Sequence, residues 1–165
     1  MNISEIDGFF HLKDALYLQK NTYFPMKQNS KKSFKFHLVL GIGGNIKNPN
    51  FRFKKFMKML KNDARFFVSH TSPILVNKAF GFTKQNDFYN AVALISTSKS
   101  ANECLKIMQH FEKIFGRKRS FKNAPRTLDL DILYFDKKTR KSSGLILPHY
   151  GVNERVSVFL PLGMI

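Results

Sequence analysis

Cysteine, acidic side chains and long apolar runs are scarce in this chain, and each shortage excludes a class of protein. The single cysteine, Cys104, allows neither an internal disulfide nor a cluster of thiolate metal ligands within one molecule. No apolar run approaches the roughly 20 residues that a membrane-spanning helix needs. Glu5 and Asp7 lie near the N-terminus, where a secretion signal would be basic and then apolar. We therefore expect a cytoplasmic protein that does not interact with membranes.

The shortage of acids gives the chain a strongly positive charge. Its 28 lysines and arginines outnumber the 11 aspartates and glutamates, and the net charge is +17. A surface this positive predicts an anionic partner, either nucleic acid or a phosphorylated small molecule. Residues 36–62 and 113–126 each hold six basic residues and no acid. The aspartates that follow the second of these segments are therefore conspicuous.

The length and the 43% share of hydrophobic residues predict a single globular domain. Residues 1–35 show weak periodicity, and we interpret them as an N-terminal extension with a helix around 12–18. The domain itself is expected to cover residues 36–165.

Apolar periodicity within residues 36–165 predicts alternating strands and helices. In chain order the predicted elements are strand 36–42, helix 51–61, strand 64–70, strand 88–96, helix 100–116 and strand 127–135. This order is typical of a ferredoxin-like α/β fold, an antiparallel sheet with both helices on one face and an open face for a site. We expect a long mobile loop between 71 and 87, and a further sheet element at 156–160.

Two aspartates in the predicted strand 127–135 indicate a metal site. Asp129 and Asp131 are two residues apart and so lie on one face, roughly 6.5 to 7 Å from each other. Neighbouring carboxylates repel each other unless a cation lies beside them, and oxygen ligands on a rigid strand suit Mg²⁺. Arginines precede the strand at Arg117 and Arg126. Carboxylates and arginines in one place suit the transfer of a phosphoryl or pyrophosphoryl group.

Three other interpretations are open on these residues alone. The first is that the two aspartates are solvated acids that balance the nearby lysines. The second is an RNA-binding module on an open sheet, although paired acids would repel RNA and the strands lack an aromatic RNP-like motif. The third is a nucleotidyl transferase with a metal-binding palm, which would release pyrophosphate in place of AMP.

A longer set of residues resembles a known family. The set consists of Gly-Arg-Lys-Arg at 116–119, Pro-Arg-Thr-Leu-Asp-Leu-Asp-Ile-Leu at 125–133, Pro-His-Tyr at 148–150 and Arg155. It is similar to 6-hydroxymethyl-7,8-dihydropterin pyrophosphokinase of folate biosynthesis, over about residues 36–165. The resemblance implies a ferredoxin-like fold, two Mg²⁺ ions, and transfer of the pyrophosphoryl group of ATP to the pterin's hydroxymethyl oxygen with release of AMP. We expect small-molecule substrates, no nucleic acid and a monomer.

The resemblance also implies a role for individual residues. Asp129 and Asp131 would bind the metal ions, and Arg117 and Arg126 would complete the catalytic set. The ATP-binding positions would be Gln109, Glu112, Arg119, Arg126, Ile132, His149, Tyr150 and Arg155. The pterin-binding positions would be Gly43, Asn45, Phe88 and Asn90.

Overall fold

The computed structural model of the chain is a mixed α/β protein in which a large antiparallel sheet is combined with helices. The residues described are 3–6, 9–12, 14–30, 32–79, 81, 83–118, 123–142, 144–152 and 154–165, with side chains from Leu12 onward. The strands are β1 (Ile3–Ile6), β2 (Phe9–Leu12), β3 (Ala15–Gln19), β4 (Met26–Lys27), β5 (Phe36–Gly44), β6 (Phe66–Thr71), β7 (Ile74–Asn77), β8 (Phe88–Thr97), β9 (Asp129–Phe135), β10 (Arg140–Ser142) and β11 (Leu145–Leu147). The helices are α1 (Pro49–Lys61), α2 (Ala101–Ile114) and α3 (Val156–Leu162), with a short 3₁₀ turn at Tyr150–Val152.

The long strand β8 organises the sheet. It pairs with β5 on one side, and β9 pairs with the far edge of β5. On its other side β8 pairs with β6 along one half and with β7 along the other half. The four predicted strands are therefore present, but β7 lies inside the segment for which we predicted a loop. Ile74, Leu75 and Val76 form it because all three are buried and β8 supplies their hydrogen-bond partners.

The helices α1 and α2 cover one face of this sheet, as predicted. Helix α1 begins after Asn48, whose side chain accepts a hydrogen bond from the Phe51 N–H, and it buries an apolar stripe at every third or fourth residue. Helix α2 begins at a capping box in which Ser100 and Glu103 satisfy each other's backbone N–H groups. The chain leaves α2 at Gly116, which has a φ of 73°, a conformation that glycine adopts easily.

The opposite face of the sheet is covered in part by α3. Val158 and Leu162 of this helix pack on Val92 of β8 and Leu133 of β9. Our prediction of a sheet element at 156–160 was therefore wrong, and the face that we expected to be open is open only in part. The run of β-branched and aromatic residues favours a strand locally, but the sheet beneath it offers an apolar surface and not a free edge to pair with.

The N-terminal segment joins the same sheet. Strand β3 pairs with β7, and β4 pairs with β6, so the helix predicted around 12–18 is replaced by a strand. Phe24 is fully buried, and its ring lies 6.0 Å from that of Phe53 on α1. A strand forms here because the edge of β7 provides hydrogen-bond partners that the local sequence does not reveal. In the described part of the chain, no helix has the length and apolar character needed to cross a membrane.

Candidate active site

The two aspartates lie on the sheet face that α1 and α2 leave uncovered. Asp129 pairs with Gly43 of β5 and Asp131 with Gly41, while the intervening Leu130 is buried beneath the helices. A Cβ atom on Gly43 would lie 3.1 Å from the Asn90 Oδ1 and 3.6 Å from the Asp129 Cβ. The missing side chain therefore leaves an open floor between Asp129 and Asn90.

Two arginines bind Asp129, one on each carboxylate oxygen. The Arg117 guanidinium contacts Oδ1, and the Arg126 guanidinium contacts Oδ2. Each arginine also has a second partner, which is Glu112 for Arg117 and the Phe88 ring, 5.4 Å from the guanidinium carbon, for Arg126. The sequence predicted that these charges converge, and the structure brings them together.

Glu112 lies behind this cluster, on α2. It is only 4% exposed, and its Oε1 atom accepts a hydrogen bond of 2.8 Å from the Leu130 N–H as well as the Arg117 contact. Burial raises the pKa of Glu112, although the hydrogen bond and Arg117 oppose that shift. The carboxylate therefore fixes strand β9 and Arg117 relative to each other. Gln109, three residues earlier on the same helix, is half-buried.

The side chain of Asp131 differs from that of Asp129 in having no hydrogen bond or ion pair with any described residue. Burial and the nearby charge of Asp129 raise the pKa of Asp131 to about 7. The Thr127 hydroxyl, two residues before Asp129, is buried and also lacks a described partner. A cation beside the two carboxylates would favour their charged forms.

The donor set fits Mg²⁺. The described residues contain no group of three or more histidine, cysteine and acidic side chains that could enclose a metal ion. Two carboxylates on one strand leave most coordination positions to water and to phosphate oxygens, which is how proteins usually bind Mg²⁺.

Amide side chains line the other side of the floor. The Asn90 Nδ2 donates a hydrogen bond of 2.7 Å to the Asn77 Oδ1. Asn45 is 3% exposed, and its Oδ1 accepts a hydrogen bond from the Arg126 backbone N–H. The Asn45 Nδ2 donates to the Gln85 Oε1 and to the Asn86 carbonyl oxygen. Asn45 thus joins three loops around the site.

The segment after β11 provides the remaining predicted residues. The His149 N–H donates to the carbonyl oxygen of Leu133 on β9, which holds this segment beside the aspartates. The rings of His149 and Tyr150 lie 4.3 Å apart, and the Arg155 guanidinium carbon lies 5.0 Å from the Tyr150 ring centre. Burial and the charge of Arg155 lower the pKa of His149. These three side chains form one cluster.

Two predicted positions remain, of which one is not described and the other does not face the cluster. Arg119 lies outside the described residues. Ile132 is 2% exposed in the core beneath the helices, so its side chain faces away from Asp131 and only its main chain borders the site face. Three further residues line the site without having been predicted from the sequence, namely Asn77, Gln85 and Thr127. Thr127 was within reach, because it shares the period-2 face of the two aspartates.

The site combines paired aspartates with two arginines and an open space above a glycine. Phosphoryl-transfer enzymes use groups of this kind. The model of the 7,8-dihydro-6-hydroxymethylpterin-pyrophosphokinase family matches residues 39–165. The chain belongs to this family, which confirms the resemblance that the motifs carried.

Named relatives agree with this assignment. A 2-amino-4-hydroxy-6-hydroxymethyldihydropteridine pyrophosphokinase of Campylobacter jejuni is 47% identical over 154 residues, which cover 93% of this chain and 98% of the relative. Proteins of the same name from Helicobacter pylori and Bacillus subtilis are 40% and 32% identical. The first of these two alignments covers 86% of this chain and 88% of the relative, and the second covers 76% and 75%.

Proposed function

We propose that the protein transfers the pyrophosphoryl group of ATP to the hydroxymethyl oxygen of 6-hydroxymethyl-7,8-dihydropterin in folate biosynthesis. The hydroxyl oxygen forms a bond to the β-phosphorus and loses its proton, the bond between the β-phosphorus and the oxygen that bridges it to the α-phosphorus breaks, and AMP leaves with that oxygen. Family membership supports the reaction and its substrates. The observation that carries the proposal is the convergence of Asp129, Arg117 and Arg126 beside an open floor.

We assign Asp129 and Asp131 as the ligands of two Mg²⁺ ions. Two carboxylates with room for water and phosphate oxygens support this assignment, as does the raised pKa of Asp131. When bound, Mg²⁺ supplies positive charge to the triphosphate and acidifies the acceptor hydroxyl.

The arginines act on the phosphates. Arg117 and Arg126 neutralise negative charge that moves toward the leaving AMP during transfer. Glu112 forms an ion pair with Arg117 and positions its guanidinium, so it assists ATP binding through Arg117. The other ATP-side positions are Gln109, Arg119, the Ile132 main chain, His149, Tyr150 and Arg155. The exposed Tyr150 ring, which Arg155 contacts, provides a flat surface of the kind that an adenine ring stacks on.

The amide side binds the pterin. Asn90 presents a carboxamide oxygen above Gly43, and an amide can pair with a ring edge that carries both donors and acceptors. The Phe88 ring, which already contacts Arg126, forms a wall between the two substrates. Asn45 holds the loops in place at the boundary between the ATP and pterin sites.

The wider architecture fits a ferredoxin-like core extended by strands from the N-terminal segment. The strands of the sheet lie in the order β9, β5, β8 and then β6 with β7, and this order supports the interpretation. Residues 36–165 are then the pyrophosphokinase domain, and residues 1–35 are its extension. We further propose that the protein is a cytoplasmic monomer whose partners are its small-molecule substrates.

A product analysis tests the proposed reaction. The purified protein is incubated with ATP, Mg²⁺ and 6-hydroxymethyl-7,8-dihydropterin, and AMP and the pterin diphosphate are quantified, with controls lacking either the pterin or Mg²⁺. We expect the two products in equal amounts and only in the complete mixture. Release of pyrophosphate in place of AMP would indicate a nucleotidyl transferase, and pterin-independent AMP would exclude the assigned acceptor.

A further inference from the structure

Asp129 occupies an unusual position, because it is both an assigned metal ligand and the partner of two arginines. Arg117 contacts its Oδ1 and Arg126 its Oδ2, so a guanidinium lies on each carboxylate oxygen. A divalent cation on either oxygen would lie next to one of these guanidiniums. Like charges this close repel strongly in a partly buried site. The cation and this pair of contacts therefore compete for Asp129.

Each arginine has a second anchor that does not involve Asp129. Arg117 also contacts Glu112, and Glu112 is held in place by the Leu130 N–H. Arg126 lies over the Phe88 ring, and its Nε donates a hydrogen bond of 3.1 Å to the Ala124 carbonyl oxygen. An arginine that is released from Asp129 is therefore still held at the edge of the site by its second partner.

We propose that Arg117 and Arg126 are placeholders for the cation: they neutralise Asp129 until it binds a divalent cation, and they then leave it together for the phosphates. This inference rests on the proposed assignment of Asp129 as a Mg²⁺ ligand and adds a coupling to it. Binding of the cation to Asp129 and movement of the two arginines to the phosphates are then a single coupled step. In the absence of nucleotide, the two arginines thus weaken the affinity of the site for a metal ion.

Nucleotide-free binding of Mn²⁺ alone, measured by the loss of the free-ion electron paramagnetic resonance signal, tests the proposal. Arg126→Ala removes one competing guanidinium, and we expect it to bind Mn²⁺ about threefold more tightly than the parent, because one ion pair typically changes an equilibrium constant by up to about fivefold. Lys118→Ala is the matched control. It removes one positive charge from the same loop, and Lys118 has no ion pair with any described residue.

Equal gains in Arg126→Ala and Lys118→Ala would overturn the proposal, because net charge alone would then explain them. Failure of both the parent and Arg126→Ala to bind Mn²⁺ would overturn it as well. Neither measurement contains ATP or pterin, so loss of the proposed reaction in a separate assay would leave this result intact.

A second measurement on the parent protein removes any dependence on how the variant folds. Nitrogen-15 spectra of the arginine side chains report restricted rotation of a paired guanidinium. We expect the signals of Arg117 and Arg126 to change when Mg²⁺ is added without nucleotide, while that of Arg65, which pairs with Asp63 elsewhere, stays constant. Unchanged Arg117 and Arg126 signals in a protein whose Asp131 amide signal shifts with Mg²⁺ would contradict the exchange.

Discussion

The two halves of the candidate site hold their polar groups in different ways. The acid-arginine half, made of Asp129, Asp131, Arg117, Arg126 and Glu112, relies on ion pairs and leaves the Asp131 carboxylate without a described partner. The amide half, made of Asn45, Asn77, Gln85 and Asn90, relies on neutral hydrogen bonds of 2.7 to 3.0 Å. Gly43 separates the two halves.

This difference matches two kinds of substrate. Charge-charge attraction depends weakly on direction, so the acid-arginine half can follow a flexible polyanion and exchange one charged partner for another. Hydrogen bonds between amides require a narrow geometry, so the amide half can recognise a rigid ring by the pattern of donors and acceptors along its edge. Substitutions in each half, and added salt, can show whether the two halves act as separately as their contacts imply.

The largest effect is expected from Asp131→Ala. Loss of an assigned metal ligand should lower the rate of AMP formation by roughly 10³-fold or more, because several kcal/mol of transition-state stabilisation depend on the cation. Thermal unfolding should change little, since the carboxylate has no described partner to lose. The exposed Glu154→Ala serves as the control. Retained turnover in Asp131→Ala would remove Asp131 from the metal site.

A smaller loss is expected from Arg126→Ala. Removing one charged group that faces the transferring phosphates typically costs roughly 10²- to 10³-fold in kcat/KM. Arg65→Ala, which breaks the ion pair with Asp63 far from Asp129 in the fold, should retain the parent rate. A kcat/KM of Arg126→Ala within about twofold of the parent would exclude Arg126 from catalysis, since such an effect is smaller than one weak hydrogen bond.

Asn90→Ala addresses the amide half. We expect the KM for the pterin to rise by about tenfold, the value of one hydrogen bond, while the KM for ATP stays nearly constant. Asn102→Ala, on the exposed surface of α2, is the matched amide control. An equal rise in both KM values would show that the halves are not separate.

The smallest difference between the two halves is expected from added salt. Raising the KCl concentration from about 0.1 to 1 M shortens the Debye length from roughly 10 to 3 Å, which screens the arginine charges from ATP. The KM for ATP should therefore rise a few-fold, while that for the neutral pterin should stay nearly constant. Parallel salt dependence of the two values would argue against a neutral amide half.

The fold was predictable where a local pattern determines the element. Helices α1 and α2 carry clear apolar stripes and capping residues, and β5, β8 and β9 carry clear apolar or alternating runs. Strands β3 and β7 and helix α3 were missed because their conformations depend on partners that are distant in sequence. Val156–Leu162, for example, favours a strand by composition and becomes helical only against Val92 and Leu133.

The site was predictable to a similar extent. Asp129, Asp131 and Arg126 lie within six residues, so their proximity follows from the sequence itself. The contact between Asn45 and Gln85 joins residues that are 40 positions apart, and nothing in either segment predicts it. The shared contact of Arg117 with Glu112 and Asp129 also requires the packing of α2 against β9, which periodicity cannot reveal.

The burial of Phe24 and the pairing of β3 and β4 also determine how far the chain can be shortened. A protein that began at Phe36 would lose a fully buried ring from its core and the strands that cover the edges of β6 and β7. Bare strand edges readily pair with those of other molecules. Such a truncated protein is therefore expected to aggregate on expression even though every assigned catalytic residue is retained.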